Sequence, residues 1–507
     1  MNLDFLGKID YWREKAESLK PVLKHWEVLP KAVVALQKDE AAWQGVKAEI
    51  VGRPAPKTEI PVGESIIFDF GEHLVGHAYF DLENVGHSFD APAVLRILAA
   101  ETPFELTYHR EEYKGSLGVG WMQEETMRVF EPGTVEVPHR MALRYLRIDV
   151  IAVPGRAAVV SNIKLTAESA VGQDFPAPPS SLDAFEKEIY NVSCRTLRNC
   201  MQGVFEDGPK RDRRLWLGDL RLQALVNAAT YRNAELVERS LYLLASDSYP
   251  NGLFTSCVFE NQKCGNGCKI MEYPLLLAPL LLEHVKAYGR RCVADDLFDI
   301  AAHQFKLLEN VIDADWLMHN DHRCWLVIDH SNELEKETAL QCVYIFGLKA
   351  LAELAQILGR DAGDAMARAE KLRNALRLNR YDEKRRMFFS GESHQFSMAS
   401  QIWAVMAKVV EGNEARDLLA RTIADDSLFP VCSPYMQHYF LEACQICGAK
   451  DLQRKVIREY WGEMVRTGAT TFYEVFYPKD TFFSPYNDAW SNSTCHAWSC
   501  TPAIYLQ

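Results

Sequence analysis

The chain has 507 residues, 48% of them hydrophobic and 25% charged, and a formal net charge of −13. This length and composition are typical of a globular protein with a large core and two or more domains, and they exclude a disordered, collagen-like or coiled-coil chain. Because acidic residues are in excess and no basic tail is present, nucleic acids and anionic membranes are disfavoured as partners.

The N-terminal segment, residues 1–49, is charged throughout and lacks the apolar core of a signal peptide, so we expect a cytoplasmic protein. Its stretches 10–20 and 31–38 predict an irregular helical lead-in. The longest apolar run of the chain, 274–282, is shorter than the roughly 18–20 residues that cross a membrane, and it predicts a buried helix.

Residues 50–170 predict an antiparallel β-sandwich domain. Short segments such as 77–83 and 143–150 alternate apolar and polar residues, and glycine or proline separates one segment from the next. The stretch 171–181 is rich in proline and serine, which predicts a linker and then the start of a helix.

From the linker to the C-terminus, apolar residues recur with the 3.6-residue period of helices. The periodic segments predict about twelve helices: 182–202, 218–232, 235–247, 272–289, 293–312, 336–359, 362–380, 396–411, 413–424, 433–448, 451–465 and 494–506. Several of these segments stop at a glycine: Gly289, Gly359, Gly412 and Gly448. Helices paired as hairpins predict a mainly α fold, in which residues 171–507 form an (α/α)6-barrel catalytic domain behind the β-sandwich.

Four long stretches between the predicted helices are rich in aromatic residues, carboxylates, histidine, asparagine and glycine. They are 203–217, 248–271, 313–335 and 466–493. Long ordered loops in a compact domain are usually functional, so we expect the site at the rim of the barrel that carries them.

The first of these stretches has the composition of a sugar site. Asp207, Asp212 and Asp219 alternate with basic residues, among them Arg211, and with Trp216. Carboxylates accept hydrogen bonds from vicinal hydroxyls, and an indole face packs on the C–H face of a pyranose. A solvated charged loop before a helix is the competing interpretation.

The last stretch places Glu474 between aromatic residues, which would desolvate it partly and suit it to general acid or base catalysis. His496 follows and would, by itself, more often be a structural histidine. The stretch 324–341 adds Asp329 and Glu337, which salt bridges to Lys336 would also explain.

Two separated carboxylates on an aromatic rim favour glycoside hydrolysis, which for inversion requires a gap of about 6.5–9.5 Å between them. Phosphate-binding, α/β-hydrolase and zincin motifs do not occur in the sequence. The thirteen cysteines lie mostly in apolar helical stretches, and the pairs Cys264/Cys268 and Cys444/Cys447 lack the partners of a zinc site. We therefore expect no metal and no cofactor.

The pattern from Asp207 through Arg211-Asp212 and Trp216 to Asp219 resembles the motif of family 78 glycoside hydrolases, the α-L-rhamnosidases. Segment 468–474 resembles the element that contains the family's general base, and 496–506 resembles the family's closing helix. Segment 327–341 resembles the family's FIDW segment and the helix after it. Segments 66–80 and 142–148 resemble the β-sandwich that precedes the family's barrel. The resemblance thus covers most of residues 60–507.

The resemblance implies an inverting exo-glycosidase that removes a terminal α-L-rhamnosyl residue or a similar sugar, with Asp212 as general acid and Glu474 as general base. It implies that the sugar is bound by Asp207, Arg211, Trp216 and Asp219, with Asp329, Glu337 and His496 as further candidates. The chain departs from the family in having Asp212 for the usual glutamate, and His330 and Tyr473 for two tryptophans.

Those departures leave three alternatives: a carbohydrate-binding barrel without turnover, a glycosidase of other sugar specificity, and another enzyme class on the same barrel, such as an epimerase or a lyase. We expect a carbohydrate as partner, without nucleic acid or membrane, in a chain that acts as a monomer or a homo-oligomer.

Overall fold

The computed structural model describes residues 3–260, 269–321 and 324–507. An antiparallel sheet precedes a helical region along the chain, and each has its own cluster of buried apolar side chains. The prediction for Cys264 and Cys268 lies outside the described residues.

Within residues 3–260, ten strands join in one antiparallel sheet. They are β1 (Lys24–Val28), β2 (Ala32–Lys38), β3 (Val46–Gly52), β4 (Lys57–Pro61), β5 (Ser65–Val85), β6 (Ala93–Ala100), β7 (Glu124–Val129), β8 (Gly133–Glu136), β9 (Met141–Ala152) and β10 (Ala157–Ser169). Six of them follow the order β1-β10-β5-β9-β6-β7, and the other four pair at the sides of this path.

The long strand β5 organises the sheet because its two halves have different neighbours. Its first half pairs with β2 and β9, and its second half with β8 and β10. The register with β9 shifts between Asp69 and Leu74, where Gly71 has a positive φ of 82° and donates its N–H to the Asp69 carboxylate. Apolar residues of β5, β6, β9 and β10 are buried together as the core of the sheet.

Fourteen α-helices lie in the described ranges. They are α1 (Ile9–Ser18), α2 (Ala184–Cys200), α3 (Leu217–Ala229), α4 (Ala234–Ser246), α5 (Leu277–Tyr288), α6 (Cys292–Leu307), α7 (Glu337–Leu358), α8 (Ala365–Asn379), α9 (Met398–Met406), α10 (Gly412–Ala424), α11 (Pro434–Cys447), α12 (Lys450–Val456), α13 (Gly462–Arg466) and α14 (Pro502–Tyr505). A π-helical segment, Ile457–Trp461, joins α12 to α13. Five short strands are interspersed: β11 (Arg214–Trp216), β12 (Cys257–Phe259), β13 (Tyr381–Asp382), β14 (Met387–Ser390) and β15 (Gln395–Phe396).

Alternate helices pack side by side: α3 on α5, α5 on α7, α7 on α9 and α9 on α11. Most predicted helix spans agree with the observed helices to within a few residues. Gly289, Gly359 and Gly448 adopt left-handed conformations and end α5, α7 and α11, as predicted, but Gly412 begins α10 instead.

Two predicted elements differ from the structure. Of the predicted helical lead-in, a 3-10 helix at Asp4–Lys8 and α1 are helical, whereas 31–38 forms β2, which pairs with β3 and β5 in the sheet. The predicted helix 494–506 is reduced to a 3-10 turn at Ala497–Ser499 and the short α14. With helices beside a ten-stranded sheet, the fold combines helix and antiparallel sheet rather than being mainly α.

One helix is apolar along most of its length. α7, Glu337–Leu358, is long and apolar enough by composition to cross a membrane, but 78% of its most apolar window is buried inside the protein. It packs against α5, α8 and α9, as the central helix of a core does.

Candidate active site

Residues from all four predicted loop stretches, together with their neighbours, line a cavity of about 240 Å³. The described residues that line it are Leu117, Asp207, Asp212, Arg214, Trp216, Asp219, Ile270, Tyr273, Trp325, Val327, His330, Glu474, Tyr486, His496 and Trp498. Its wall thus combines four carboxylates with aromatic side chains, which is the chemistry of a sugar site.

A strained turn between α2 and α3 positions the aspartates. Asp212 and Arg213 both have left-handed backbones, with φ of 63° and 49°. The turn closes through hydrogen bonds between Asp207 and Arg214. β11 then pairs with β12 before α3 begins, which directs Trp216 and Asp219 toward the cavity. Non-glycine residues in this conformation are uncommon and often occur at functional sites.

Glu474 is 2% exposed, and its carboxylate is held from several directions. Arg211 donates Nη2–H to Oε2, Tyr486 donates its hydroxyl to Oε1 at 2.6 Å, and the Ser493 N–H approaches Oε2 at 3.4 Å. The Trp498 indole N–H donates to the Glu474 main-chain carbonyl at 3.0 Å. The side chain is therefore fixed in place.

The charges around Glu474 keep it ionised. Burial alone would raise its pKa, but Arg211 above all, then His496 and His330, and the hydrogen bond from Tyr486, hold that pKa at about 2. At neutral pH the group is a carboxylate, which can accept a proton from water.

Asp207 and Asp219 are also buried, but their pKa values are raised, whereas that of Glu474 is lowered. Burial, together with the charges of Asp212 and Asp219, raises the pKa of Asp207 well above its ordinary value. Burial also raises the pKa of Asp219, although the hydrogen bond between its Oδ1 and His496 Nε2, at 3.0 Å, opposes the shift. Asp207 and Asp219 therefore hold a proton more readily than free aspartates do, in contrast to Glu474.

Asp212 is the most accessible of the four carboxylates, since its side chain is 17% exposed. Its Oδ1 lies 3.7 Å from Nη1 of Arg211, the same guanidinium that binds Glu474. Asp212 and Glu474 thus contact the cavity and share one arginine.

Two groups of aromatic rings form the rest of the wall. Trp216 and Tyr273 meet edge to face with centroids 6.4 Å apart, and Trp498 lies 4.3 Å from the ring of His496 and 5.3 Å from that of His330. In the described part of the chain, His330 Nε2 and Arg214 Nε are buried without a hydrogen-bond partner. Such groups are costly to bury, and a polar ligand would satisfy them.

Most of the predicted site residues come together. Asp207, Asp212, Trp216, Asp219, Glu474 and His496 line the cavity, and Arg211 lies behind it against Glu474. Asp329 and Glu337 do not line it. The Asp329 carboxylate accepts the main-chain N–H groups of residues 330 and 432, and Glu337 begins α7 and contacts Ser390. The structure thus accounts for both by local hydrogen bonding.

Tyr486, Tyr273 and Leu117 also line the cavity but were not predicted from the sequence. Tyr486 lies in the long loop 466–493, so the aromatic content of that loop was a usable signal. Tyr273 lies at the start of a predicted buried helix, and Leu117 belongs to a loop of the sheet region that contacts the 484–490 loop through Ser116. Neither carries a local signal of function.

No group of three or more His, Cys, Asp or Glu that could hold a metal ion is found among the described residues. Cys444 and Cys447 are buried free thiols of α11. The described lining of the cavity offers carboxylates, histidines and aromatic residues for chemistry, with Arg211 behind it.

Two family models match consecutive parts of the chain. Residues 30–167 match the glycosyl hydrolase family 78 alpha-rhamnosidase N-terminal domain. Residues 180–507 match the bacterial alpha-L-rhamnosidase 6 hairpin glycosidase domain. A comparison with curated proteins gives no match.

Solved structures resemble the whole chain. A rhamnosidase from Klebsiella oxytoca with rhamnose bound has a TM-score of 0.94 and 35% sequence identity, over 98% of each chain. The match to a family GH78 rhamnosidase of Bacillus sp. GL1 (TM-score 0.74, 22% identity) spans 91% of this chain and 49% of the Bacillus chain. The match to an α-L-rhamnosidase of Streptomyces avermitilis complexed with L-rhamnose (TM-score 0.66, 18% identity) spans 92% of this chain and 46% of the Streptomyces chain. The last two share the fold, and this chain spans about half their length.

Proposed function

The chain belongs to glycosyl hydrolase family 78, and we propose that it is an inverting, exo-acting α-L-rhamnosidase with Asp212 as general acid and Glu474 as general base. The observation that carries the proposal is that both carboxylates line one cavity, small enough to suit a single terminal sugar. The relative from Klebsiella oxytoca, which has rhamnose bound, supports rhamnose as that sugar.

In the proposed reaction, Glu474 accepts a proton from a water molecule as the water oxygen bonds to C1 of the sugar. The bond between C1 and the glycosidic oxygen breaks with its electron pair on oxygen, and that oxygen takes the proton of Asp212. The products are free rhamnose of inverted configuration and the alcohol of the leaving group. Proton exchange with solvent then restores both carboxyl groups.

The electrostatics support the role of Glu474 as the base, and the geometry supports Asp212 as the acid. Arg211 and Tyr486 keep Glu474 ionised, as a base must be before turnover. Asp212 lines the same cavity, and its side chain is the most exposed of the four carboxylates there, so it can take up a proton from solvent after each turnover.

We also propose that the helical hairpins of residues 171–507 close into an (α/α)6 barrel. It would lie behind a β-sandwich domain, predicted over residues 50–170, whose sheet also includes the earlier strands β1, β2 and β3. In support, α11 and α3, the two ends of the series of packed alternate helices, both contact the turn Ala497–Ser499. That turn carries His496 at its start, so closure of the ring would bring a site residue between the first and last inner helices.

The test is hydrolysis of a panel of 4-nitrophenyl glycosides, of which we expect the α-L-rhamnoside to be cleaved fastest. Glu474→Gln and Asp212→Asn should each lower kcat by about 10²–10⁴-fold. α-L-rhamnosyl fluoride separates the roles, because fluoride leaves without a proton: Asp212→Asn should retain most activity on it, and Glu474→Gln should lose activity on both substrates. Rhamnose binding without turnover of any glycoside would contradict the proposal, as would variants with wild-type rates.

A further inference from the structure

A second cavity, of about 510 Å³, adjoins the site, and Asp212 is the one described residue that lines both. Three parts of the chain form it: the segment after α1, the sheet region, and two loops, of which one precedes α3 and the other follows α4. Its described lining residues are Lys20, Pro21, Leu23, Trp121, Arg140, Glu168, Gly203, Glu206, Asp212, Arg213, Phe259 and Glu260.

The charges of this cavity are paired rather than in excess. Arg140 donates to both carboxylate oxygens of Glu206 at 2.8 Å, and Lys20 Nζ lies 2.9 Å from Glu260. The described lining contains cationic and anionic side chains in nearly equal number. Such a surface offers many donors and acceptors but little net charge, which suits hydroxyl groups better than an anion.

Two aromatic side chains complete the surface. Trp121 and Phe259 are both partly exposed, and one face of Phe259 is covered by Arg214, with the guanidinium carbon 4.4 Å from the ring centroid. Aromatic faces flanked by paired charges match the two sides of a pyranose, its C–H face and its hydroxyls.

We propose that this second cavity, defined by Trp121, Arg140, Glu206, Phe259 and Glu260, binds the leaving group, and that the leaving group is a neutral sugar. The inference rests on the proposed function: a general acid protonates the glycosidic oxygen, so the group attached to that oxygen must lie on the Asp212 side. The sheet region and the segment after α1 therefore contribute to substrate specificity.

The experiment measures kcat/KM of the wild type and of Trp121→Ala on two kinds of substrate. The first kind is a set of α-L-rhamnosyl-glucose disaccharides of different linkage. The second is α-L-rhamnosyl fluoride, whose leaving group is too small to reach Trp121. Trp121→Ala should lower kcat/KM for the cleaved disaccharide by about tenfold or more and change that for the fluoride by less than about twofold. Trp121→Phe should recover part of the loss.

Phe130→Ala is the matched control, because Phe130 is a 66% exposed aromatic of the sheet region that lines neither cavity, and both substrates should be unaffected. Equal loss on both substrates, no loss on either, or activity on the fluoride without cleavage of any disaccharide would overturn the leaving-group subsite alone. A wild-type chain inactive on both substrates would overturn the proposed function and the subsite with it.

Discussion

Arg211 is the residue on which the charge balance of the site depends. Its guanidinium is 2% exposed, binds Glu474, donates from Nε to the Ser491 carbonyl at 2.6 Å, and lies 4.5 Å from the centroid of the Tyr486 ring. It is a positioning residue for Glu474, since it fixes both the place and the ionisation of that carboxylate. Removing it should leave a buried carboxylate without its main cation.

Arg211→Gln should therefore move the acid limb of kcat/KM to higher pH. In the wild type the pKa of Glu474 is held at about 2, so the base stays ionised as pH falls through the mildly acidic range. Without Arg211, burial dominates, the pKa rises, and Glu474 is protonated at a higher pH. The measurement is the pH profile of kcat/KM on 4-nitrophenyl α-L-rhamnoside.

Arg221→Gln provides the control for this prediction. Arg221 is also fully buried and paired, but with Glu283 and Glu442, away from the cavity. Its loss should reduce stability without displacing the acid limb. An acid limb that stays in place in Arg211→Gln would show that Arg211 does not set the ionisation of the base.

For single residues, the sequence predicted the site best where the residue type itself indicates the chemistry. Asp207, Asp212 and Glu474 were predicted from their place beside basic and aromatic residues in long loops, and all three line the cavity. Asp329 had the same local appearance, yet its oxygens accept main-chain N–H groups 1 and 103 positions away along the chain. No spacing rule predicts which backbone amides will satisfy a carboxylate.

The junction of β11 and α3 shows how an element shapes the cavity. Gly218 lies in the first turn of α3, and a Cβ there would be 2.4 Å from Cζ of Tyr273 and 2.5 Å from its Cε1. The absence of a side chain lets the Tyr273 ring pack against the helix start and face Trp216 across the cavity wall.

Gly218→Ala should displace Tyr273 and lower kcat/KM by about ten- to a hundredfold in a folded protein, because small misplacements of binding groups reduce rates strongly. Kinetics on the aryl rhamnoside, with circular dichroism to verify folding, measure this. Gly7→Ala, where a Cβ meets no atom within 4 Å, should behave as wild type. Unchanged kinetics in Gly218→Ala would mean that the position of Tyr273 is irrelevant to turnover.

Helices with a strong 3.6-residue period were predictable as elements because each buries one face whatever its neighbours are. Strand β2 was not, since 31–38 has no clear alternation and is held by pairing with β3 and β5. β11 and β12 have three residues each, too few for any period to appear.

At the scale of the whole molecule, the sheet region supports the loops that line the cavity. The Glu101 carboxylate accepts the Thr494 N–H at 2.7 Å, two residues before His496. Lys114 donates its N–H to the Asp488 carboxylate at 3.0 Å, and Ser116 donates to the Tyr486 carbonyl at 2.8 Å. The loop that presents Tyr486 to Glu474 is therefore attached to the sheet. These contacts join residues hundreds of positions apart, so no local pattern in the sequence predicts them.

Asp488→Ala should loosen that loop. It removes the acceptor for the N–H groups of Lys114 and Trp490, a loss on the order of 1 kcal/mol per hydrogen bond, and should lower kcat severalfold. Faster amide exchange over 484–490 would accompany it. Asp480→Ala, which removes a bond to the Phe482 N–H in the same stretch, is the control and should leave kcat unchanged. Equal effects of the two variants would refute a specific role for the contact with the sheet.

If Asp212 and Glu474 act from opposite faces of the bound sugar, with a water molecule between Glu474 and C1, the configuration at C1 must invert. Time-resolved proton NMR of the wild-type enzyme acting on an α-L-rhamnoside identifies the anomer that is released before mutarotation. We expect β-L-rhamnose as the first product. Initial release of α-L-rhamnose would rule out the proposed mechanism, since retention requires a carboxylate to attack C1 itself.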